Sequence, residues 1–421
     1  GEWGALFWSF SYFFSLLCGY YIVRPMRDEM AIAGGVDKLQ WMFSGTFVVM
    51  LAAVPLFGWV ARTYAPGRFL PYVYYFFIAN LLLFFVLFES RITHAYVARA
   101  FFIWASVFNL FIVSVFWSFM ADTFDNEQAK RLFGVIAAGG TAGAITGPAL
   151  TAALALVFDP TYLLLLSAVF LGWAVVCIHR LTAWRRARGG GSGEKKTGGE
   201  AGDQNEEQPI GGSVLAGVQK ITRSPYLIGI CMLMLLFTML ATFLYFQQAA
   251  IVKASFDDPA SRTALFAAMD FSVNALTILI QVFLTSRIIK WFGLSWTLAL
   301  IPLLLGVGFA VLAWASTLAV IVAVQVLRRA GNYAVMRPAR EMLYVVLTKE
   351  EKYKSKNFID TVVYRGGDAV SAWVYTGLQA LGMTAGSISL AAVPLAGMWA
   401  GIGFMLGRRQ QEMSDEKEKS P

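Results

Sequence analysis

The sequence predicts an all-α polytopic membrane protein of about twelve transmembrane helices, set out as two six-helix pseudo-repeats. Three observations carry this: an apolar content no soluble globule sustains, a series of helix-length apolar stretches, and one long hydrophilic segment dividing the series in two. Of 421 residues, 58% are hydrophobic and 14% charged, where soluble domains run at roughly 45–50% and about 25%. Mean hydropathy is +0.61.

A membrane span takes about 20 predominantly apolar residues. Such stretches lie near 5–27, 39–61, 70–89, 97–120, 133–157 and 161–181, then near 226–250, 264–288, 294–314, 317–336, 358–381 and 386–406. The net charge of +8 is informative through its placement, because short loops rich in Lys and Arg face the cytoplasm. The basic loops are 2–3 (Arg62, Arg68), 4–5 (Lys130, Arg131), 6–7 (Arg180 to Arg223), 8–9 (Arg287, Lys290) and 10–11 (Lys349 to Lys356). Loop 5–6 carries only Asp159, and loops 9–10 and 11–12 carry no charge. Both termini are therefore expected in the cytoplasm, with the chain in the cell (inner) membrane. The basic balance reads as topology and not as nucleic-acid binding.

Cys18, Cys177 and Cys231 fall inside spans, where cysteine acts as a small apolar residue, so no disulfide framework is predicted. His94 and His179 lie near opposite membrane faces. No Cys/His cluster has metal spacing and no catalytic constellation stands out. The expectation is a protein that is not an enzyme and needs no cofactor.

Residues 184–212, rich in Gly, Lys and Glu, read as a flexible linker. The predicted organisation is a six-helix half over 1–183, a cytoplasmic linker over 184–223, a second half over 224–408 and a cytoplasmic tail over 409–421. The halves echo each other at an offset of about 225: Arg62–Gly67 before span 3 matches Arg287–Gly293 before span 9, Lys130/Arg131 matches Lys352–Lys356, and Arg27 falls near Lys253. Two parallel six-helix repeats are the plan of the major facilitator fold, with a substrate site between the halves. The competing reading is an unrelated twelve-helix bundle.

Ionisable groups inside spans are costly and mark cavities or internal pairs. At the end of span 1, Arg24, Arg27 and Asp28 stand three and four apart on one face, beside Pro25, which interrupts the backbone ladder. They form either a cationic lip that binds an anion or an interfacial Arg24–Asp28 pair. In span 8, Asp270, Asn274 and Gln281 make a polar stripe, read as a cavity lining or an interhelical hydrogen-bond seam. Span 10 holds Arg328, Arg329, Asn332, Tyr333, Arg337, Arg340 and Glu341. Arg337 and Glu341, four apart, suit a pair at the cytoplasmic end together with Arg340. Arg328 and Arg329 have no local acid, and point either to an anion or to a structural bridge with Asp270 or Asp368. Span 11 places Asp360, Tyr364, Arg365 and Asp368 on overlapping faces, with Gly366–Gly367 allowing close approach or bending. The Arg365–Asp368 pair is either a conformational latch or structural glue. The small residues of span 5, GVIAAGGTAGAITGP, are helix-packing chemistry and lack the Lys and Ser/Thr of a phosphate loop.

The segments RPMRDEM after span 1, SVFWSFMADTFDNEQAKRLFG through loop 4–5, SPYL, KASFDD, MDFS, and NYAVMRPAREMLYVVLTKEEKYKSKNFID across loop 10–11 resemble the ATP/ADP translocase (nucleotide transporter) family, itself similar to the major facilitator superfamily. The last segment is the most specific, through Pro338, Glu341, Tyr344, Lys354, Lys356 and Asp360. The resemblance implies exchange of ATP for ADP and phosphate, using charges in spans 1, 4, 7 and 11. Arg27 stands at the family's basic position in span 1. In span 4 the acidic position is missing and Asn109 is the strongly polar residue there. Tyr245 falls near the acidic position of span 7, and Asp368 near the family's Lys in span 11.

The expected function is secondary active transport, as antiport or symport, of a small organic anion such as a nucleotide or another phosphorylated metabolite, by alternating access. Arg24 or Arg27 and Arg328 would bind the anion, with Asn109, Tyr245, Asn274 and Asn332 orienting it. Asp270 and the Arg365–Asp368 pair would couple or latch, with Arg337, Arg340, Glu341 and Asp360 at the gate. Membrane lipids are expected neighbours. The alternatives are a lipid or amphipathic-anion mover of the same fold, and a non-transporting sensor or scaffold.

Overall fold

A computed structural model describes residues 2–63, 66–90, 94–124, 126–189, 221–222 and 224–419. The linker residues 190–220 and 223, and the side chains of Arg62, Arg68, His94, Lys130, Arg188, Lys349 and Lys354, lie outside the described set. The described residues form helices and connecting turns, with no strand among them. Six rods come first: α1 (Glu2–Ala33), α2 (Leu39–Thr63), α3 (Pro66–Glu89), α4 (His94–Thr123), α5 (Asn126–Leu154) and α6 (Leu163–Gly189). Then follow α7 (Pro225–Ser255), α8 (Pro259–Phe283), α9 (Thr285–Trp314), α10 (Leu318–Leu343), α11 (running from Lys349 to Ala380) and α12 (Ala385–Lys419). Ten of these are long and apolar enough to cross a membrane among the described residues; α2 and α11 are the other two. In α11 the charged Lys349–Phe358 precedes a π turn and a final 17-residue piece.

Helix ends follow local chemistry. Ser224 and Thr317 accept from Leu227 and Val320 N–H groups to cap α7 and α10, and Thr348 with Glu351 forms a capping box on α11, supplying partners for otherwise orphaned amides. Gly35 (φ 101°) ends α1, a position only glycine adopts without strain. Gly293 (φ 71°, ψ 173°) kinks α9 near its start, at the junction that the sequence reads as a loop.

The chain divides into two compact units. The first holds Gly1–Gly35, Val48–Glu207 and Asp258–Phe271, and so takes in the first half of α8. Its α1 packs most heavily on α5, then on α6 and α4. The contact with α5 is built on the predicted small-residue stripe. Gly139, Gly143 and Gly147 recur at intervals of four and lie against the α1 backbone: a Cβ on Gly139 would stand 2.6 Å from Phe10 O, and one on Gly147 2.7 Å from Cys18 O. A Cβ on Gly143 would meet the Phe14 carbonyl and, at 2.9 Å, the Cys18 nitrogen. Such approach lets backbones gain dispersion contact where lipid offers no hydrophobic gradient. We expect Gly143→Ala to destabilise the detergent-purified protein by about 1–3 kcal/mol, since the clashing atoms are backbone and cannot rotate away. Gly134→Ala, in the same helix with nothing within 4 Å, should be neutral or stabilising by up to about 1 kcal/mol. Paired thermal melts with opposite signs are the check.

Around α1 the unit is aromatic: Phe13 stacks on Phe116 at 4.1 Å, and Tyr12 meets Phe116 edge-on at 4.8 Å. The Tyr12 and Tyr74 hydroxyls satisfy each other in the interior at 2.5 Å, as buried polar groups require.

The second unit holds Val36–Phe47, Gln208–Asp257 and Ser272–Pro421. Here α9 packs chiefly on α12, and α7 on α11 and α12. The start of α2 belongs to this unit, with Trp373 Nε1 donating to Ser44 Oγ at 3.0 Å and Trp41 edge-on to Trp373 at 4.9 Å. Gln247 and Ser389 donate to each other at 2.9 and 3.1 Å, pinning α7 to α12 with a buried polar pair. Both α10 and α11 contain a π turn, at Asn332–Met336 and Ile359–Val363.

Candidate functional site

In the first unit, Pro25 has no N–H to offer the ladder inside α1, and the charges cluster on either side of it. Arg24 Nη1 meets Asp270 Oδ1 of α8 at 3.0 Å, the carboxylate 1% exposed and the guanidinium 14%. Arg24 also lies over the Tyr21 ring at 5.7 Å. Arg27 Nη2 takes Asp28 Oδ1 at 3.3 Å and covers the Phe102 ring at 4.8 Å. One turn on, Arg262 of α8 grips Glu29 of α1 in a two-point fork, Nε to Oε2 at 2.7 Å and Nη2 to Oε1 at 2.8 Å, with Glu29 1% exposed. Bidentate geometry is the strong form of a charge-assisted hydrogen bond.

The two α1–α8 pairs are crossed: α1 gives a cation at residue 24 and an anion at 29, while α8 gives an anion at 270 and a cation at 262. Beside the Glu29–Arg262 pair opens a cleft of about 790 Å³, walled by Met26, Met30, Phe88 and Phe158 and including Asp258. Asp258 precedes α8, outside the spans, and accepts from the Ser261 backbone N–H at 2.7 Å, which holds its carboxyl below the ordinary aspartate value. Asn109 of α4 is half-buried in the same unit.

In the second unit the charges gather on α10 and α11. Arg328 is oriented by the neutral amide of Gln325, with Nε and Nη2 donating to Oε1 at 3.1 and 2.9 Å, and Gln325 is itself buried. Arg329 is 8% exposed. Asn332 and Tyr333 open the π turn. A π turn shifts the backbone register and leaves carbonyls over, and neighbours take them: Thr285 Oγ1 donates to Ala334 O at 2.7 Å, and Gln281 Nε2 to Tyr333 O at 3.4 Å. Asn274 is half-buried along α8, and Tyr245 of α7 meets Phe43 edge-on at 5.5 Å.

Towards the end of α10 the pairing is Arg340 with Asp360 at 3.6 Å and Glu341 with Lys356 at 2.6 Å. Arg337 is exposed, so the carboxylate that the four-residue spacing offered to Arg337 goes instead to a lysine from α11. Likewise Arg24 takes Asp270, leaving Asp28 to Arg27, because α8 brings a second carboxylate to the α1 face. Arg365 and Asp368 pair at 3.7 Å as their spacing of three suggested, with Arg365 over the Tyr364 ring at 5.1 Å. A Cβ on Gly367 would lie 3.3 Å from Leu235 of α7, so this glycine serves close helix approach. Among the described residues no group of His, Cys, Asp and Glu could hold a metal ion.

Reading the sequence alone passes over Glu29, Arg262 and Gln325. Arg262 lies just ahead of the apolar stretch of span 8 and looks like a boundary charge. Glu29 follows Asp28 and is masked by it. Gln325 stands three residues before Arg328, and that spacing is the signal that could have found it.

Comparison with known proteins brings three findings. A sequence model described as Major Facilitator Superfamily matches residues 5–353. The chain is 25% identical over 189 residues to a protein of Chlamydia muridarum named ADP,ATP carrier protein 1. That match covers 40% of this chain and 35% of the relative, so it spans about a third of the relative's length. Among solved structures, a POT family transporter in complex with 5-aminolevulinic acid superposes with a TM-score of 0.63 at 12% identity, over 97% of this chain and 96% of that one. A bacterial homologue of the iron transporter ferroportin gives 0.64 at 14%, over 93% and 96%. The nucleoside transporter NupG gives 0.59 at 13%, over 97% and 98%.

Proposed function

The chain belongs to the major facilitator superfamily and is a multi-pass membrane transporter, and from that premise we propose that it is a secondary active transporter of an organic anion. The solute class is nucleotides and other phosphorylated metabolites, moved by alternating access across the cell (inner) membrane, with both termini in the cytoplasm, a placement the basic loops support. One observation carries the anionic part of this reading. From Leu318 to Met336, α10 contains two arginines and no acid, and Arg328 is held in place by a neutral amide. A guanidinium at that depth is costly, and its planar fork matches phosphate and carboxylate oxygens. In the first unit Arg24 and Arg27 supply further cationic groups. The partial similarity to a protein named ADP,ATP carrier supports phosphate-bearing solutes over other anions.

Transport here runs on solute or ion gradients, and no step of it makes or breaks a covalent bond. Asn332 sits where the π turn loosens the backbone of α10, so it can follow a solute during a conformational change; π turns concentrate at functional positions for this reason. Arg340–Asp360, Glu341–Lys356 and Arg365–Asp368 link α10 with α11 or lie within α11, and we assign them to gating.

The test is uptake into proteoliposomes of a labelled panel: ATP, ADP, glucose 6-phosphate, adenosine and glucose. Phosphorylated members should enter and compete with one another, while neutral ones should do neither. Uptake of adenosine or glucose without competition from any phosphorylated solute would refute the anion assignment.

A further inference from the structure

The two ion pairs joining α1 to α8 are built differently, and the difference points to exchange. Glu29–Arg262 is a two-point fork with both hydrogen bonds at 2.7–2.8 Å. Arg24 reaches Asp270 through Nη1 and Oδ1 at 3.0 Å, and its guanidinium is 14% exposed while the carboxylate is 1% exposed. In both pairs the carboxylate is the enclosed member, at 1%, and the guanidinium the more accessible one, 14% for Arg24 and 11% for Arg262, so what separates the pairs is their contact geometry. Arg24 leans on the Tyr21 ring of its own helix, so a rigid aromatic face keeps the guanidinium in place when its anionic partner changes.

We propose that Asp270 is an internal substitute for the solute's anionic group: its carboxylate occupies Arg24 in the empty transporter, and a carboxylate or phosphate oxygen of the solute takes its place on binding. This rests on the anion-transport reading above and adds to it a competitor within the protein. A solute that met Arg24 with Asp270 still in contact would bring a second anion to one guanidinium, and like charges at such distances repel strongly in a medium of low dielectric. The Asp270 contact must therefore lengthen as the solute binds, and α8 moves relative to α1 at this level while the Glu29–Arg262 fork holds the two helices one turn away. Solute affinity is reduced by whatever the Arg24–Asp270 contact contributes, as for any ligand that must displace an occupied state.

The experiment measures binding of ATP and of inorganic pyrophosphate to the intact, detergent-purified chain by isothermal titration, for wild type, Asp270→Asn, Arg24→Gln and the double variant. Asparagine keeps the shape and removes the charge, so Asp270→Asn should bind both probes about tenfold more tightly or better, and Arg24→Gln should bind them at least tenfold more weakly. If Asp270→Asn binds no more tightly while Arg24→Gln is weakened, the competition is overturned and the anion reading stands. Should Arg24→Gln bind as wild type does, Arg24 is not an anion ligand, and the anion reading must rest on α10 alone. A carboxylate removed from a buried pair also exposes the chain to unfolding. If Asp270→Asn is recovered only with pyrophosphate present, that rescue supports exchange directly. Failure with pyrophosphate present, alongside a well-folded Arg24→Gln/Asp270→Asn double variant, overturns it.

Discussion

Glu29→Ala is expected to lower the stability of the detergent-solubilised protein by roughly 3–5 kcal/mol, the range for removing one partner of a buried ion pair. Glu29 is 1% exposed and accepts two hydrogen bonds from Arg262. Once the carboxylate is gone, the guanidinium keeps its desolvation cost without either bond. Replacing both partners with apolar residues of similar length, as in Glu29→Leu/Arg262→Met, should recover most of the stability, because a buried pair is often worth no more than the packing that replaces it. Denaturation curves for Glu29→Leu, Arg262→Met and the double variant form a double-mutant cycle whose interaction term isolates the pair. A single-variant loss below about 1 kcal/mol is the signature of a solvent-exposed pair and would contradict the burial described for Glu29.

Arg328→Ala carries the second large effect, on solute handling and not on folding. Two charge-assisted hydrogen bonds to a phosphate, at about 1.5–3 kcal/mol each, correspond to a rise in KM of roughly a hundredfold or more. Gln325→Leu removes the acceptor that holds the fork without touching its charge, and should cost about tenfold, with the loss in KM and the maximal rate less affected. Arg337→Ala serves as the control. It lies on the same helix but is exposed, so its loss should change uptake by less than about twofold. Equal effects at Arg328 and Arg337 would show that α10 acts through diffuse positive charge and not through an oriented fork.

How much of this was readable from residue order depends on how far apart the interacting groups lie. Span positions followed from apolar run length, and the α5 stripe from glycines at intervals of four; both are local signals that lipid makes obligatory. Arg365–Asp368 was equally readable at three residues apart. Arg337–Glu341 had the right spacing, yet the acid's partner is Lys356, fifteen residues on, because the turn after α10 returns α11 alongside and a lysine there reaches the same carboxylate. Glu29 and Arg262 are separated by 233 residues, and nothing in the order of residues announces that they meet. The π turns were invisible for a different reason. A one-residue shift in backbone register has no side-chain signature of its own, and it becomes recognisable only when Thr285 is found donating to Ala334 O. The break at Gly293 was marked by its glycine, and the backbone leaves helical geometry there as the start of span 9 at residue 294 suggests; the short helical piece from Thr285 that precedes it was read as loop.

Charged residues of α1, α8, α10 and α11 are of two kinds here: those set in short ion pairs, and those oriented by a neutral side chain or, on the proposal above, by an exchangeable one. Glu29, Arg262, Glu341 and Lys356 are of the first kind. Arg328 and, through Asp270, Arg24 are of the second, and these are the groups proposed to bind the solute.

The most direct measurement is counterflow: labelled ATP at trace concentration outside proteoliposomes preloaded with unlabelled ADP, comparing wild type with Arg328→Gln. The account predicts transient accumulation of label above equilibrium for wild type, abolished by omitting internal nucleotide or phosphate-bearing solute and lost in Arg328→Gln. Accumulation that is unchanged in Arg328→Gln, or a wild-type signal no greater than that of protein-free liposomes for every phosphorylated solute tried, would contradict it.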